Sequence, residues 1–203
     1  MPSPEPFTKT RLLVVEGKDE EVFFKELLKY LDFPDIVDIR GSNGKDKFKG
    51  LMQAFTITSG FKNIEKIAVI RDADNNADDA FKSVTDTLKK IQLNTPKKRG
   101  EFSSEIPSVG VFIMPDNSSK GMLEDICLET VKEHEVMKCV EHFIVCTQNL
   151  NEKPKNISKA KVQAFLAAKP RIANSIGLGA QKGYWNFNSE IFRPLINFLN
   201  QLK

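Results

Sequence analysis

Paired cysteines, long apolar runs and nucleotide-hydrolase signatures are all missing from this chain. Its three cysteines, Cys127, Cys139 and Cys146, form no CxxC, which excludes a paired-cysteine zinc ribbon or a thioredoxin-like redox motif. A sparse, odd set of thiols fits a reducing compartment, and we expect a cytoplasmic protein. The opening "MPSPEPFTKTR" has no apolar core of the kind that heads a secretory signal. No run approaches the roughly 20 apolar residues of a membrane span. A GxxxxGK[ST] phosphate loop is absent, so any ATP-driven step needs a separate ATPase partner chain. "HEVMK" falls short of HExxH, because Lys138 stands where the second histidine belongs. His134, His142 and Cys139 therefore read as a helix face with buried thiols rather than a zinc site. Net charge is also slight, formally +3, which neither demands nor excludes nucleic acid. There is no internal repeat and no low-complexity tract.

What is present is an ordinary globular composition. With 40% hydrophobic and 28% charged residues in 203, one domain can bury its core without disulfides or metal staples. Residues 1–10 hold three prolines and read as a flexible arm. The apolar run 11–16 predicts a buried strand that ends on Glu16. From Asp19 the pattern turns helical, with Val22, Phe23, Leu27 and Tyr30 on one face. "DIVDIRG" predicts a second strand closed by Gly41. A polar turn, "SNGKDKF", and a helix over 46–58 follow. "IEKIAVIRD" is a third strand. "NADDAFKSVTDTLKKI" predicts a helix with acids in its first turn and lysines in its last. After a polar loop over 94–107, "VGVFIMP" is a fourth strand and "GMLEDICLETV" begins another helix. Helices then dominate, over 132–147, 158–169 and 190–202, with "GLGAQKGYWNF" as an interrupting loop.

Alternating strands and helices imply an α/β core over 11–130 with a mainly parallel four-stranded sheet flanked by helices. A helical C-terminal extension over 131–203 packs on it. Ligands in such sheets sit beyond the carboxyl ends of the strands. Acids mark those exits here: Glu16 after strand one, Asp72 and Asp74 after strand three, and Asp116, Glu124 and Asp125 after strand four. Carboxylates gathered at one edge repel each other and are costly to bury unless a cation compensates. Hard oxygen ligands at this density suit Mg²⁺ or Mn²⁺.

Other readings accompany each motif. Asp19, with Glu20 and Glu21, suits the start of a helix, and for Asp19 capping is the preferred role. "DADNNADDAF" is a poor calcium loop, since Ala77 replaces the glycine at the sixth position and Ser83 the bidentate glutamate at the twelfth. A DxD also opens phosphatase motifs with an aspartyl nucleophile, but Asn76 stands where a Thr or Val is usual. Lys182, beside a glycine and two aromatics, has the reach to stabilise charge on a phosphate. Equally, it reads as a surface lysine on a loop where Trp185 anchors the last helix. Lys97-Lys98-Arg99 and Lys45, Lys47 and Lys49 either hold phosphates or form solvated faces.

"LLVVEGKDE" followed by "IAVIRDADNN" resembles the TOPRIM domain, the metal-binding module of topoisomerases, bacterial primases, OLD-family nucleases and small ribosomal-RNA maturases. The likeness spans about residues 11–130 and implies a Rossmann-like parallel sheet carrying Mg²⁺. By that resemblance Glu16 is the motif glutamate and Asp72 with Asp74 the DxD pair. Glu20 matches an acid of the OLD-like branch, Gly41 the glycine closing strand two, and Glu124 the later acidic ligand. The context of Glu124 departs from the usual SxE. "GMLEDICLE" with the late "KGYWNF" also resembles a stand-alone TOPRIM family of bacteria and archaea. The tyrosine-bearing domain of a topoisomerase and the zinc module of a primase have no counterpart here. The expectation is a Mg²⁺-dependent nuclease that hydrolyses DNA or RNA by water, with Glu16, Asp72, Asp74 and Lys182 in the chemistry. Glu16, Glu20, Asp72, Asp74 and Glu124 would hold the metal. The alternative is a non-catalytic module that binds metal and nucleic acid or nucleotide for a partner protein.

Overall fold

Strand alternation settles how the chain is layered. The computed structural model describes residues 5–42 and 44–203. Its sheet comprises β1 (Arg11–Val15), β2 (Val37–Gly41), β3 (Lys66–Asp72) and β4 (Ser108–Met114). They lie in the order β2-β1-β3-β4, and every neighbouring pair is parallel. Successive side chains go to opposite faces. Leu13, Val15, Ala68, Ile70, Phe112 and Met114 meet one apolar cluster, while Leu12, Val14, Ile67, Val69, Val111 and Ile113 meet the other. Burial on both faces is why the strands read as unbroken apolar runs.

Helices α2 (Phe48–Thr56) and α3 (Ala77–Lys90) cover the second face through Met52, Phe55, Val84 and Leu88. The first is covered by α1 (Lys18–Tyr30), α4 (Leu123–Thr130), α5 (Val136–Gln148) and α6 (Ile157–Ala167). Helices α7 (Ile176–Gln181) and α8 (Arg193–Asn200) complete that layer. Val140, Phe165, Ile176 and Phe198 belong to the same buried cluster as Phe23 and Leu27 of α1. Residues 131–203 thus complete the core on one side of the sheet.

Two local expectations change. Residues 1–4 lie outside the described residues, but the arm is already docked at Phe7. That ring is 6% exposed and packs edge-on against Phe55, while Thr8 and Lys9 donate backbone N–H bonds to Asp38. An aromatic residue among prolines hides this docking from a composition reading. "GLGAQK", expected as loop, contains helix α7. Its glycines lower helix propensity, but they serve packing. A Cβ on Gly177 would stand 2.5 Å from the Asp19 carbonyl oxygen and 2.8 Å from Val22 Cβ. Only a bare backbone lets α7 lie this close to α1.

The chain leaves β1 for β2 on one side and reaches β3 and β4 on the other. The crevice between the carboxyl ends of β1 and β3 is therefore the topological switch point, where a ligand fits an open α/β sheet. Among the described residues, no helix is long and apolar enough to cross a membrane.

Candidate metal centre

Glu16 leaves β1 and Asp72 ends β3, so both flank that crevice. Gly17 turns the chain into α1, which brings Glu20 back one turn later, and Glu20 Oε2 accepts the Glu16 N–H at 2.9 Å. The Asp72 carboxylate accepts the Leu123 N–H at the start of α4 at 3.1 Å, and Glu124 follows directly. Glu16, Glu20, Asp72 and Glu124 line one cavity of about 280 Å³, together with Lys159 of α6. Glu16, Glu20, Asp72 and Glu124 meet there, with Asp19 also in the lining, because the strands end, a helix begins and α4 returns to the same edge.

Their electrostatics are strained. Burial, reinforced by the charges of Glu16 and Glu124, pushes Glu20 up to about 8, although the Glu16 N–H bond and Lys159 oppose the shift. Asp72 is raised well above the usual carboxylate range by burial first, then by Glu20, Glu16 and Glu124. Lys159 Nζ lies 3.3 Å from Glu124 Oε1. Burial opposes its charge, but the surrounding acids outweigh burial and raise its pKa. One oxygen, Glu16 Oε2, is buried with no hydrogen-bond partner among the described residues. Oε2 is met instead by the Arg71 guanidinium at 3.2 Å. Buried acids that repel one another are the environment that a hard dication relieves, and the all-oxygen donor set fits Mg²⁺ or Mn²⁺. Among the described residues no three His, Cys, Asp or Glu side chains stand close enough together to hold a metal ion as they are placed. Arg71 pairs with Glu16 and Lys159 with Glu124, whereas Glu20 and Asp72 have no ion pair among the described residues.

The remaining candidates fall around this centre. Asp74 lies outside the cavity. Its φ of 50° turns it off the strand path, its backbone bridges to Gly121, and its carboxylate sits 3.6 Å from Lys45 Nζ at the rim. Lys182 does not line the cavity. It follows α7 at the end away from Ile176, about 9 Å along the helix; the lysines that line the cavity are Lys18 and Lys159, and Lys159 is the one paired with an acid of the site. Asp116 turns away, accepting from the backbone and hydroxyls of Ser118 and Ser119. Its partial burial opposes ionisation, but those bonds hold it at about 2. Trp185 is 3% exposed, stacks on Phe165 and donates to the Ile176 carbonyl at 2.8 Å, so it packs the core. His134 is engaged with Lys169 and the Val136 N–H, whereas Cys139 is exposed. Lys45, Lys47 and Lys49 are exposed, and of these Lys45 reaches Asp74, whereas Arg99 is paired with Asp78.

The other acids of "KDEE" have structural tasks. Asp19 does not cap its own helix, since the N-cap is Gly17 with no side-chain bond. Its two oxygens instead accept the Ile176 and Gly177 N–H groups of α7, at 2.9 and 3.0 Å. Glu21 accepts the Gly41 N–H, and a Cβ on Gly41 would press to 2.7 Å from that carboxylate and 2.8 Å from the Gly17 carbonyl carbon. These contacts fix the walls of the cavity. Asp19→Ala removes two charge-assisted bonds, each worth about 1.5–3 kcal/mol. Urea unfolding should show a loss of at least about 2 kcal/mol; a change below about 0.5 kcal/mol would refute that role.

Comparison with known proteins adds the family and the fold. A family profile described as "Protein of unknown function (DUF3226)" matches residues 10–203. No curated protein matches the chain. Among solved structures, the chain is similar to the C-terminal region of the Burkholderia pseudomallei OLD protein, at 14% identity and a TM-score of 0.53, covering 97% of this chain and 100% of that one. It is also similar to the C-terminal region of the Xanthomonas campestris pv. campestris OLD protein, at 12% identity and a TM-score of 0.50, covering 97% of each. At such identities the likeness carries the α/β fold alone.

Proposed function

The chain belongs to the DUF3226 family of proteins of unknown function, and from its own residues we propose that it is a Mg²⁺- or Mn²⁺-dependent phosphodiesterase, a nuclease that cleaves DNA or RNA with water. The observation that carries this reading is the convergence of Glu16, Glu20, Asp72 and Glu124 on one cavity at the switch point of the sheet. The TOPRIM-like spacing of "VVEGKDE" and "RDAD" supports it independently.

Glu16, Glu20, Asp72 and Glu124 would hold the ion, with Asp74 at the rim. When bound, the ion supplies positive charge to the phosphate oxygens and makes water more acidic. The protein does the rest. Glu20, with its pKa pushed up to about 8 in the metal-free protein, would give up its proton as the ion binds, which makes ion binding depend on pH. Lys159, held protonated among acids, donates a charge-assisted hydrogen bond to an oxygen of the phosphoester. Exposed Lys45, which reaches Asp74 at the rim, guides a polyanion towards the site, joined by exposed Lys47 and Lys49 that follow it in the chain.

Purified protein with Mg²⁺ or Mn²⁺ and single- and double-stranded DNA and RNA tests this directly. Cleavage that EDTA abolishes is expected. The lysine assignment has its own check: Lys159→Met should lower the cleavage rate by about 100-fold, in the range for loss of one transition-state donor, and Lys182→Met should change it less than threefold. The reverse ranking would return the role to Lys182. A second reading draws on the ion pairs that already occupy these acids: a binding module without turnover. Salt-sensitive nucleic-acid binding with no hydrolysis under any of these conditions would favour that reading.

A further inference from the structure

Arg71 has no part in that reaction, yet it touches its first ligand. It stands next to Asp72 at the end of β3, a strand hydrogen-bonded on both sides. The register pairs Val14 with Val69. Two residues further on, Glu16 therefore comes beside Arg71 on the face opposite to Asp72. Arg71 Nε lies 3.2 Å from Glu16 Oε2, and the arginine side chain is only 11% exposed against 23% for the glutamate. Oε2 is itself buried and accepts no well-directed hydrogen bond among the described residues. The solvent-facing part of Glu16, which lines the cavity, is then on the other side of the carboxylate.

A guanidinium so enclosed is tolerated only when paired. Its backbone is fixed in the sheet interior, so it cannot follow the carboxylate into solvent. Resting on the metal-dependent reading above, we infer that Arg71 is a positioning residue of the metal centre: it holds Glu16 Oε2 against the end of β3, so that Oε1 is the Glu16 oxygen that would help to hold a cation. Asp72 is left to serve from the opposite side of the same strand. One strand end thus carries a ligand and the anchor of a second ligand in adjacent residues, which fixes the spacing between Glu16 and Asp72. Outer partners of metal ligands that orient them in this way are typically worth about 10–100-fold in metal affinity.

The test uses the full chain and Mn²⁺ alone, with free Mn²⁺ read by electron paramagnetic resonance. The wild type should bind the ion and Glu16→Gln should weaken binding. Arg71→Met should weaken it about 10–100-fold. Arg71→Lys, which restores a cation of different shape, should recover to within about tenfold of the wild type. Wild-type affinity in Arg71→Met, or an Arg71→Lys variant no better than Arg71→Met, overturns the inference while leaving the metal centre standing. Should Arg71→Met lack a folded circular-dichroism spectrum, Arg71→Gln replaces it with the same expected loss, and wild-type affinity there is equally decisive against the inference. A wild type that binds no Mn²⁺ removes the metal-dependent reading itself, and the role of Arg71 with it.

Discussion

Exchanging Asp72 for Asn, or Glu16 for Gln, is expected to lower metal-dependent cleavage by about a thousandfold or more while the protein stays folded. The figure corresponds to about 4 kcal/mol in the barrier, within the several kcal/mol that charge stabilisation by a bound ion contributes. Each exchange removes a charge from the ligand set and keeps the volume. The amide of Asp72→Asn would retain an oxygen for the Leu123 N–H, which Asp72 Oδ1 accepts at 3.1 Å. Because the buried neighbours Glu20, Glu16 and Glu124 all disfavour a charge on Asp72, the neutral amide should leave the metal-free protein at least as stable as the wild type. Rates measured under excess Mg²⁺, alongside thermal melting without metal, separate the two effects. Cleavage within tenfold of the wild type in both variants would refute the assignment.

Without metal, stability should fall as the pH rises from about 5 to 9, and Mg²⁺ should restore it. The sign follows from Glu20. Its folded pKa of about 8 lies above its ordinary 4.5, so the folded protein binds that proton more tightly than the unfolded chain does. The contribution is fully present below about pH 4.5 and is lost as the pH climbs to 8. A shift of this size amounts to a few kcal/mol at full titration, or roughly 5–15 °C in melting temperature for a chain of this length. Asp72 is shifted in the same direction and adds to the loss. Glu20→Gln should flatten the profile, because an amide has no proton to release. Millimolar Mg²⁺ should raise the melting temperature more at pH 8.5 than at pH 6. A metal-free melting temperature that stays level or rises between pH 5 and 9 would remove the buried, repelling acids from the account.

Much of this site is visible before any folding is considered. Glu16 directly follows an unbroken apolar run and Asp72 follows one after a single arginine, and a strand buried on both faces must end where charged residues can reach the sheet edge. Glu20 follows from Glu16 by helix periodicity. The cations could not be found in this way. Arg71 looks like one more polar residue at the end of "IAVIRD", and its pairing with Glu16 depends on the register between β1 and β3. Lys159 comes from a helix more than thirty residues beyond Glu124, in a segment whose sequence pattern gave it only a helical face. Lys182 attracted notice through its aromatic neighbours, but those aromatics, Tyr184 and Trp185, are engaged with Arg171 and Ile176 carbonyls. Asp19 shows the same limit from the other side: a helix-start acid by local pattern, it is committed to a helix 157 residues away.

By itself, then, the sequence determined the parallel α/β layering and the acids at the strand exits, because apolar periodicity and carboxylate character are properties of short segments. The tertiary structure alone decided which acids share a cavity, which turn outward, and which basic residues compensate them. Those outcomes depend on strand register and on the way α4, α6 and α7 return to one sheet edge, and contacts between distant segments leave no periodic trace in the chain.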